Sequence, residues 1–200
     1  MKILKKYESF LIGDIKVDVL TRKEFDKLFF KIYPDQNINL KEKIRFFDYS
    51  DFSSGYGYDK KHEKTLRFIV AYNNKDILGI CKFAFWNFSQ TYAVSYLSTN
   101  IDYRKQGISK MILEELFKYF SQTYPNEKMY WSGYSVEGWN YLRNNILTFS
   151  KKYNVKISEK AVEYDIDSGD ELFTKSRQIV NKEYGHQYWY PGQPFNSYYP

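Results

Sequence analysis

The sequence predicts a mixed α/β (α+β) fold: helices flank a largely antiparallel central sheet, with one more helix and an aromatic tail at the C-terminus. Three observations predict it. Segments of strand-like and helix-like periodicity follow one another as β-α-α-β-β-β-α-β-α-β, an order that calls for helices layered on a sheet. The run "ILGICKFAFWNF" (Ile77–Phe88) is apolar on both faces, as a strand in the middle of a covered sheet must be. A chain of 200 residues is also long enough to enclose one core without disulfides or metals.

The elements follow in order. "VDVL" (Val17–Leu20) reads as a first strand. In "TRKEFDKLFFKIY", Thr21 and Glu24 have the spacing of a capping box, Phe25, Leu28, Phe29, Ile32 and Tyr33 form one apolar stripe, and Pro34 stops the helix. A second helix is expected from Asn39, with Leu40, Ile44 and Phe47 inward, followed by a polar loop, Ser50–Lys64. Thr65–Tyr72, Ile77–Phe88 and Thr91–Thr99 supply three consecutive strands, the first two joined by the turn "NNKD". Ile108, Met111, Ile112, Leu116 and Phe120 mark the inner face of the next helix, and "KMYWSGY" (Lys128–Tyr134) is a further strand. "VEGWNYLRNNILTFSKKY" reads as one long helix ending near Asn154, and "VKISEKAVEYDID" returns to β structure. Residues 1–168 are thus expected to form one domain. Residues 169–200 are expected to add a helix, stopped by Gly185, and the tail "HQYWYPGQPFNSYYP", packing on the domain or on a partner subunit.

Composition narrows the function. The N-terminus breaks its apolar residues with charges, which makes a poor signal peptide, and no run approaches the roughly 18 apolar residues of a membrane span. Cys81 is the single cysteine and the two histidines, His62 and His186, lie far apart. A disulfide framework is therefore excluded, no metal site is expected, and a reducing cytoplasm fits best. The net charge of +6 favours anionic partners or cofactors, although the cations are widely spread.

The chemistry concentrates at a strand–turn–helix junction, "YLSTNIDYRKQGISKMILEELFKYF" (Tyr96–Phe120). The first turn of a helix exposes unpaired N–H groups at the positive end of its dipole, where a phosphate sits well. Gly107 lets the backbone approach an anion closely, Ser109 is small and can donate a hydrogen bond, and Arg104 and Lys105 add positive charge. Neither G-x-x-x-x-G-K-[ST] nor G-x-G-x-x-G is present, so nucleotide hydrolysis and nicotinamide chemistry lose support.

Arg104-Lys105-Gln106-Gly107-Ile108-Ser109, preceded by "LSTNIDYR" and followed by an apolar helix, resembles the pyrophosphate-binding motif of the GNAT acyltransferase superfamily, Q/R-x-x-G-x-G/A. Ser109 replaces the usual Gly or Ala, and Ile101 stands where a proline is common. The element order from Val17 to Asp167 resembles the family's as well. The resemblance implies acetyl-CoA as cofactor, its pyrophosphate held by the backbone of Gln106–Lys110 and its pantetheine arm paired with the strand at Leu97, Ser98 and Thr99. It implies Leu97 N–H as the donor to the tetrahedral oxyanion, and direct attack by an acceptor amine that the enzyme orients.

Relatives use a tyrosine after the fifth main strand to reprotonate the leaving thiolate; Tyr141 is the candidate here, while Ser150 falls where that tyrosine often lies. No carboxylate stands on Thr91–Thr99 to act as base; Glu137 reads more simply as a helix-cap residue, His62 and His186 as surface histidines and Cys81 as a core thiol. Tyr56 and Tyr58, in the basic loop before Thr65, are candidates for an acceptor wall. The expected activity is N-acetylation of a primary amine on a small molecule, protein or peptide. Acetylation of aminoacyl-tRNA, as in toxin-like members, and a GNAT-like binding module without turnover are the alternatives. The aromatic tail fits either a homodimer clasp or a cover over the acceptor site.

Overall fold

The computed structural model describes residues 15–34, 64–86, 90–131, 133–160 and 170–184. The second helix expected from Asn39, nearly all of the loop Ser50–Lys64 with Tyr56, Tyr58 and His62, the β run beyond Lys160, and the tail with His186 lie outside the described residues.

Six strands form one sheet in chain order: β1 (Lys16–Leu20), β2 (Arg67–Tyr72), β3 (Ile77–Trp86), β4 (Thr91–Thr99), β5 (Lys128–Trp131) and β6 (Lys156–Glu159). The first three pairings are antiparallel. The last two, β4–β5 and β5–β6, are parallel, so each needs a crossover connection. Those crossovers are α2 (Ile108–Thr123) for the first and α3 (Val136–Tyr141) with α4 (Arg143–Lys152) for the second; α1 (Arg22–Ile32) joins β1 to the segment before β2, and α5 (Asp170–Tyr184) follows β6.

The expected capping box opens α1. Thr21 N–H donates to Glu24 Oε2 at 2.8 Å and Glu24 N–H donates to Thr21 Oγ1 at 3.4 Å, which satisfies two donors that the helix start leaves unpaired. The stripe on α1 buries Phe25 and Phe29 against β2, with Phe25 stacked on Phe68 at 4.6 Å between ring centroids. The opposite face of the sheet carries the larger core, where Ile112, Leu116 and Phe120 of α2 and Ile146 and Phe149 of α4 meet Phe83, Val94 and Met129. Cys81 lies fully buried within it, and burial pushes its thiol pKa up. Both faces of β3 are therefore covered, as its apolar run required.

Two expected elements end differently. The fifth strand stops at Trp131, not Tyr134, because Ser135 starts a helix by accepting from Gly138 N–H at 3.0 Å. The long helix breaks at Leu142, which ends α3 by donating to the Gly138 carbonyl at 2.8 Å and begins α4 by accepting from Ile146 N–H at 3.0 Å. Next to the break, Arg143 reaches the buried Glu159 of β6 at 2.8 Å through Nε.

Candidate active site

The junction after β4 is built by Asn100, a fully buried polar residue. Its N–H donates to the Leu78 carbonyl at 2.8 Å, its Nδ2 donates to the Ile77 carbonyl at 3.1 Å, and its Oδ1 accepts from Asp102 N–H at 3.1 Å. One side chain thus ties β3 to the short 3-10 turn Ile101–Tyr103. Lys105 (φ +62°) and Gly107 (φ +82°) then take left-handed conformations. An added Cβ at Gly107 would meet nothing within 4 Å, so this glycine serves backbone conformation and an open approach.

Gly107 caps α2 without any side-chain hydrogen bond. The first helical bond runs from Met111 N–H to the Gly107 carbonyl at 3.1 Å, leaving the N–H groups of Gly107, Ile108, Ser109 and Lys110 without helical acceptors. Arg104, Lys105, Gln106 and Lys110 are exposed around them. Ile108 is a core residue by its side chain, only 1% exposed. Its seat depends on Gly79 of β3, where an added Cβ would stand 2.9 Å from Ile112 Cδ1, 3.0 Å from the Ser98 carbonyl and 3.1 Å from Ile108 Cγ2.

Beside this helix start, the sheet divides. β4 pairs with β5 only at Tyr92–Met129, Ala93–Tyr130 and Val94–Trp131, yet it continues along β3 as far as Thr99. From Ser95 onward the β5 side of β4 has no ladder among the described residues. The direction of its backbone groups follows from alternation: residue 100 faces β3 through its bond to Leu78, so Ser98 and Tyr96 face β3 too, whereas Leu97 and Thr99 turn their N–H and C=O groups into the wedge. Leu97, Ser98 and Thr99 are half-buried along it.

The residues expected from Leu97 to Lys110 therefore lie along one wedge and the helix start at its end. Tyr141 ends α3, 75% exposed, its carbonyl accepting from Asn145 Nδ2 at 3.2 Å. Glu137 is exposed in the first turn of α3. Ser150 donates to the Val155 carbonyl at 2.8 Å, which makes it a local brace.

Sequence reasoning passed over the buried polar groups beyond the wedge. Glu159, fully buried, accepts from Tyr134 Oη at 2.5 Å and from Arg143, which also bonds Glu183 of α5 at 2.5 Å. Burial, reinforced by the Glu159 carboxylate, pushes the Tyr134 phenol well up. Tyr134 stacks on Trp131 at 5.9 Å, and the Arg143 guanidinium lies 4.6 Å over the Trp139 ring. On β4, burial pushes Tyr96 up to about 12 against an opposing hydrogen bond from Ser98. Glu159 stands 16 residues from Arg143 and 25 from Tyr134 in the chain, so no local spacing announces that cluster. Among the described residues no cluster of His, Cys, Asp or Glu could hold a metal ion, and no helix is long and apolar enough to cross a membrane.

Residues 25–137 match the Acetyltransferase (GNAT) family. Solved structures that align with this chain include an acetyltransferase of the GNAT family from Staphylococcus aureus Mu50, at 16% identity over 80% of this chain and 91% of that one, TM-score 0.39. An aminoglycoside acetyltransferase from an uncultured soil metagenomic sample, in complex with sisomicin, aligns at 14% identity over 76% of this chain and 94% of that one, TM-score 0.41. The ribosomal-protein-S18-alanine N-acetyltransferase of Escherichia coli aligns at 10% identity over 54% of this chain, and this chain spans only 60% of that enzyme, TM-score 0.36. No curated protein matches the sequence.

Proposed function

The chain belongs to the GNAT family of acetyltransferases, and on that premise we propose that it moves the acetyl group of acetyl-CoA to a primary amine, with the β4–β5 wedge and the uncapped start of α2 as the cofactor site. The observation that carries the assignment is the parting of β4 from β5 beside that helix start. The residues fit the cofactor. A pyrophosphate needs convergent donors and positive charge, which the N–H groups of Gly107–Lys110 with Arg104 and Lys105 supply. An amide-bearing arm needs an unpaired strand edge, which Leu97 and Thr99 supply.

Bound acetyl-CoA provides the acetyl group as an activated thioester. The chain's part is to hold it, to aim Leu97 N–H at the negative charge that builds on the acyl oxygen, and to orient an uncharged amine. Tyr141 is the proposed donor of the proton that the leaving sulfur takes up. The acceptor class is a primary amine of a small molecule or of a protein, and the proposed compartment is the cytoplasm. Residues 169–184 are read as packing on domain 1–168, a reading supported by Leu172 against the core, the burial of Ser176 and Val180, and the Arg143–Glu183 ion pair.

Calorimetric titration with acetyl-CoA tests the site. Gly107→Glu places a carboxylate where phosphate belongs and forces a side chain into a left-handed position. Binding by the parent and its loss in the variant is the expected result. A folded parent that binds no acetyl-CoA overturns the assignment in favour of an interaction module.

A further inference from the structure

Strand β4 carries one residue more than β3 can pair. Val94 lies opposite Phe83 and Tyr96 opposite Lys82, so Ser95, between them, has no partner residue on β3. On the other side, pairing with β5 has ended at Val94. Ser95 is therefore both a bulge and the first residue of the wedge. Bulges bend a strand and re-aim its side chains; this one coincides with the division of the sheet.

The Ser95 hydroxyl is buried and finds no hydrogen-bond partner among the described residues. A buried hydroxyl left unpaired destabilises the protein that contains it, and native structures rarely leave one so. Replacing it by a methyl group would relieve that penalty, so its presence points to a partner that arrives from outside the chain. On the cofactor reading above, on which this inference rests, the arm leaves the start of α2, passes Thr99 and then Leu97, and its acyl end comes to the closed end of the wedge. Ser95 stands there, two residues beyond Leu97 along the strand.

We propose that the Ser95 hydroxyl donates a hydrogen bond to the acyl carbonyl of bound acetyl-CoA, so that the wedge distinguishes the acetyl-loaded cofactor from the free thiol. Leu97 N–H approaches the same oxygen from the backbone. Ser95 is thus an acyl-contacting residue, and its loss weakens recognition of the loaded form without weakening the grip on the rest of the cofactor.

Three ligands separate this role from packing: acetyl-CoA, CoA, and S-ethyl-CoA, a thioether of similar size that lacks the carbonyl. Calorimetry of Ser95→Ala is expected to show acetyl-CoA affinity reduced by about 3- to 10-fold, the worth of one neutral hydrogen bond. Affinity for CoA and S-ethyl-CoA should stay within about twofold of the parent's, the double difference isolating the carbonyl contact. Ser95→Thr, which keeps a hydroxyl, should retain the preference for acetyl-CoA. Ligand-free Ser95→Ala should melt no lower than the parent, because the change removes an unpaired polar group. Equal losses on all three ligands, or no loss on acetyl-CoA, overturn the proposal while leaving the cofactor site standing. A folded parent that binds none of the three overturns the cofactor reading and this inference together.

Discussion

Tyr141 sits on the last turn of α3 with 75% of its surface exposed, an unusual place for a group asked to protonate a thiolate. Proton transfer is efficient where water is excluded and the donor is held within hydrogen-bond reach, so the proposed role requires the acceptor itself to cover this ring in the working complex. Tyr141→Phe keeps the ring and removes the hydroxyl. Thiol release from acetyl-CoA in the presence of an acceptor amine is expected to slow by about 10²-fold, with acetyl-CoA affinity unchanged by calorimetry. A rate within experimental error of the parent's would remove Tyr141 from the mechanism. By contrast, Tyr134 is buried and already donates to Glu159, so its hydroxyl is committed to holding β6 rather than to moving a proton.

Between elements, the decisive contact is helix on strand. α2 can lie with Ile108 and Ile112 against β3 only because residue 79 lacks a side chain. Gly79→Ala must push Ile108 and Ile112, and with them the start of the helix, away from β3 or strain them in place, and overpacking of this kind destabilises by about 1–3 kcal/mol. Thermal melting should register that loss. Calorimetry should register a weaker grip on acetyl-CoA, since the shifted turn is the one proposed to hold pyrophosphate. The same contact marks how far local pattern could be read. The apolar stripe of α2 and the Arg104–Ser109 junction were legible because a helix start and its loop are encoded within a dozen residues. The break at Leu142 was not, because the residues on either side continue to read as helix and what accompanies the break, Arg143 meeting Glu159 across a separation of 16 residues, is a tertiary pairing. The bulge at Ser95 was hidden for a like reason: it exists only in the register against β3.

Across the whole molecule, the order of strands and helices followed from periodicity, while the parallel placing of β6 beside β5 and the early parting of β4 from β5 came only with the assembled sheet. Many of the aromatics serve that assembly, and their raised phenols, Tyr72 and Tyr96 among them, give it a pH signature. The hydrogen bond to Asp18 raises Tyr72, and burial raises Tyr96, each from 10.0 to about 12. A phenol held neutral in the fold but free to ionise when unfolded contributes stability that is complete below the unfolded value and is lost as pH climbs through the folded one. Denaturant midpoints should therefore fall from about pH 10 upward, with phenolate absorbance at these sites lagging that of exposed tyrosines. The parted sheet has a different consequence. Among the described residues its two wings are joined edge to edge by three residue pairs, so a molecule laid along the inner edge of β4, as proposed for the cofactor, would act as a brace between them. Bound to the native state alone, at a hundred times its dissociation constant, such a brace adds about 2.7 kcal/mol to the fold. The lifetime of this protein in a cell would then rise and fall with the supply of the compound it consumes.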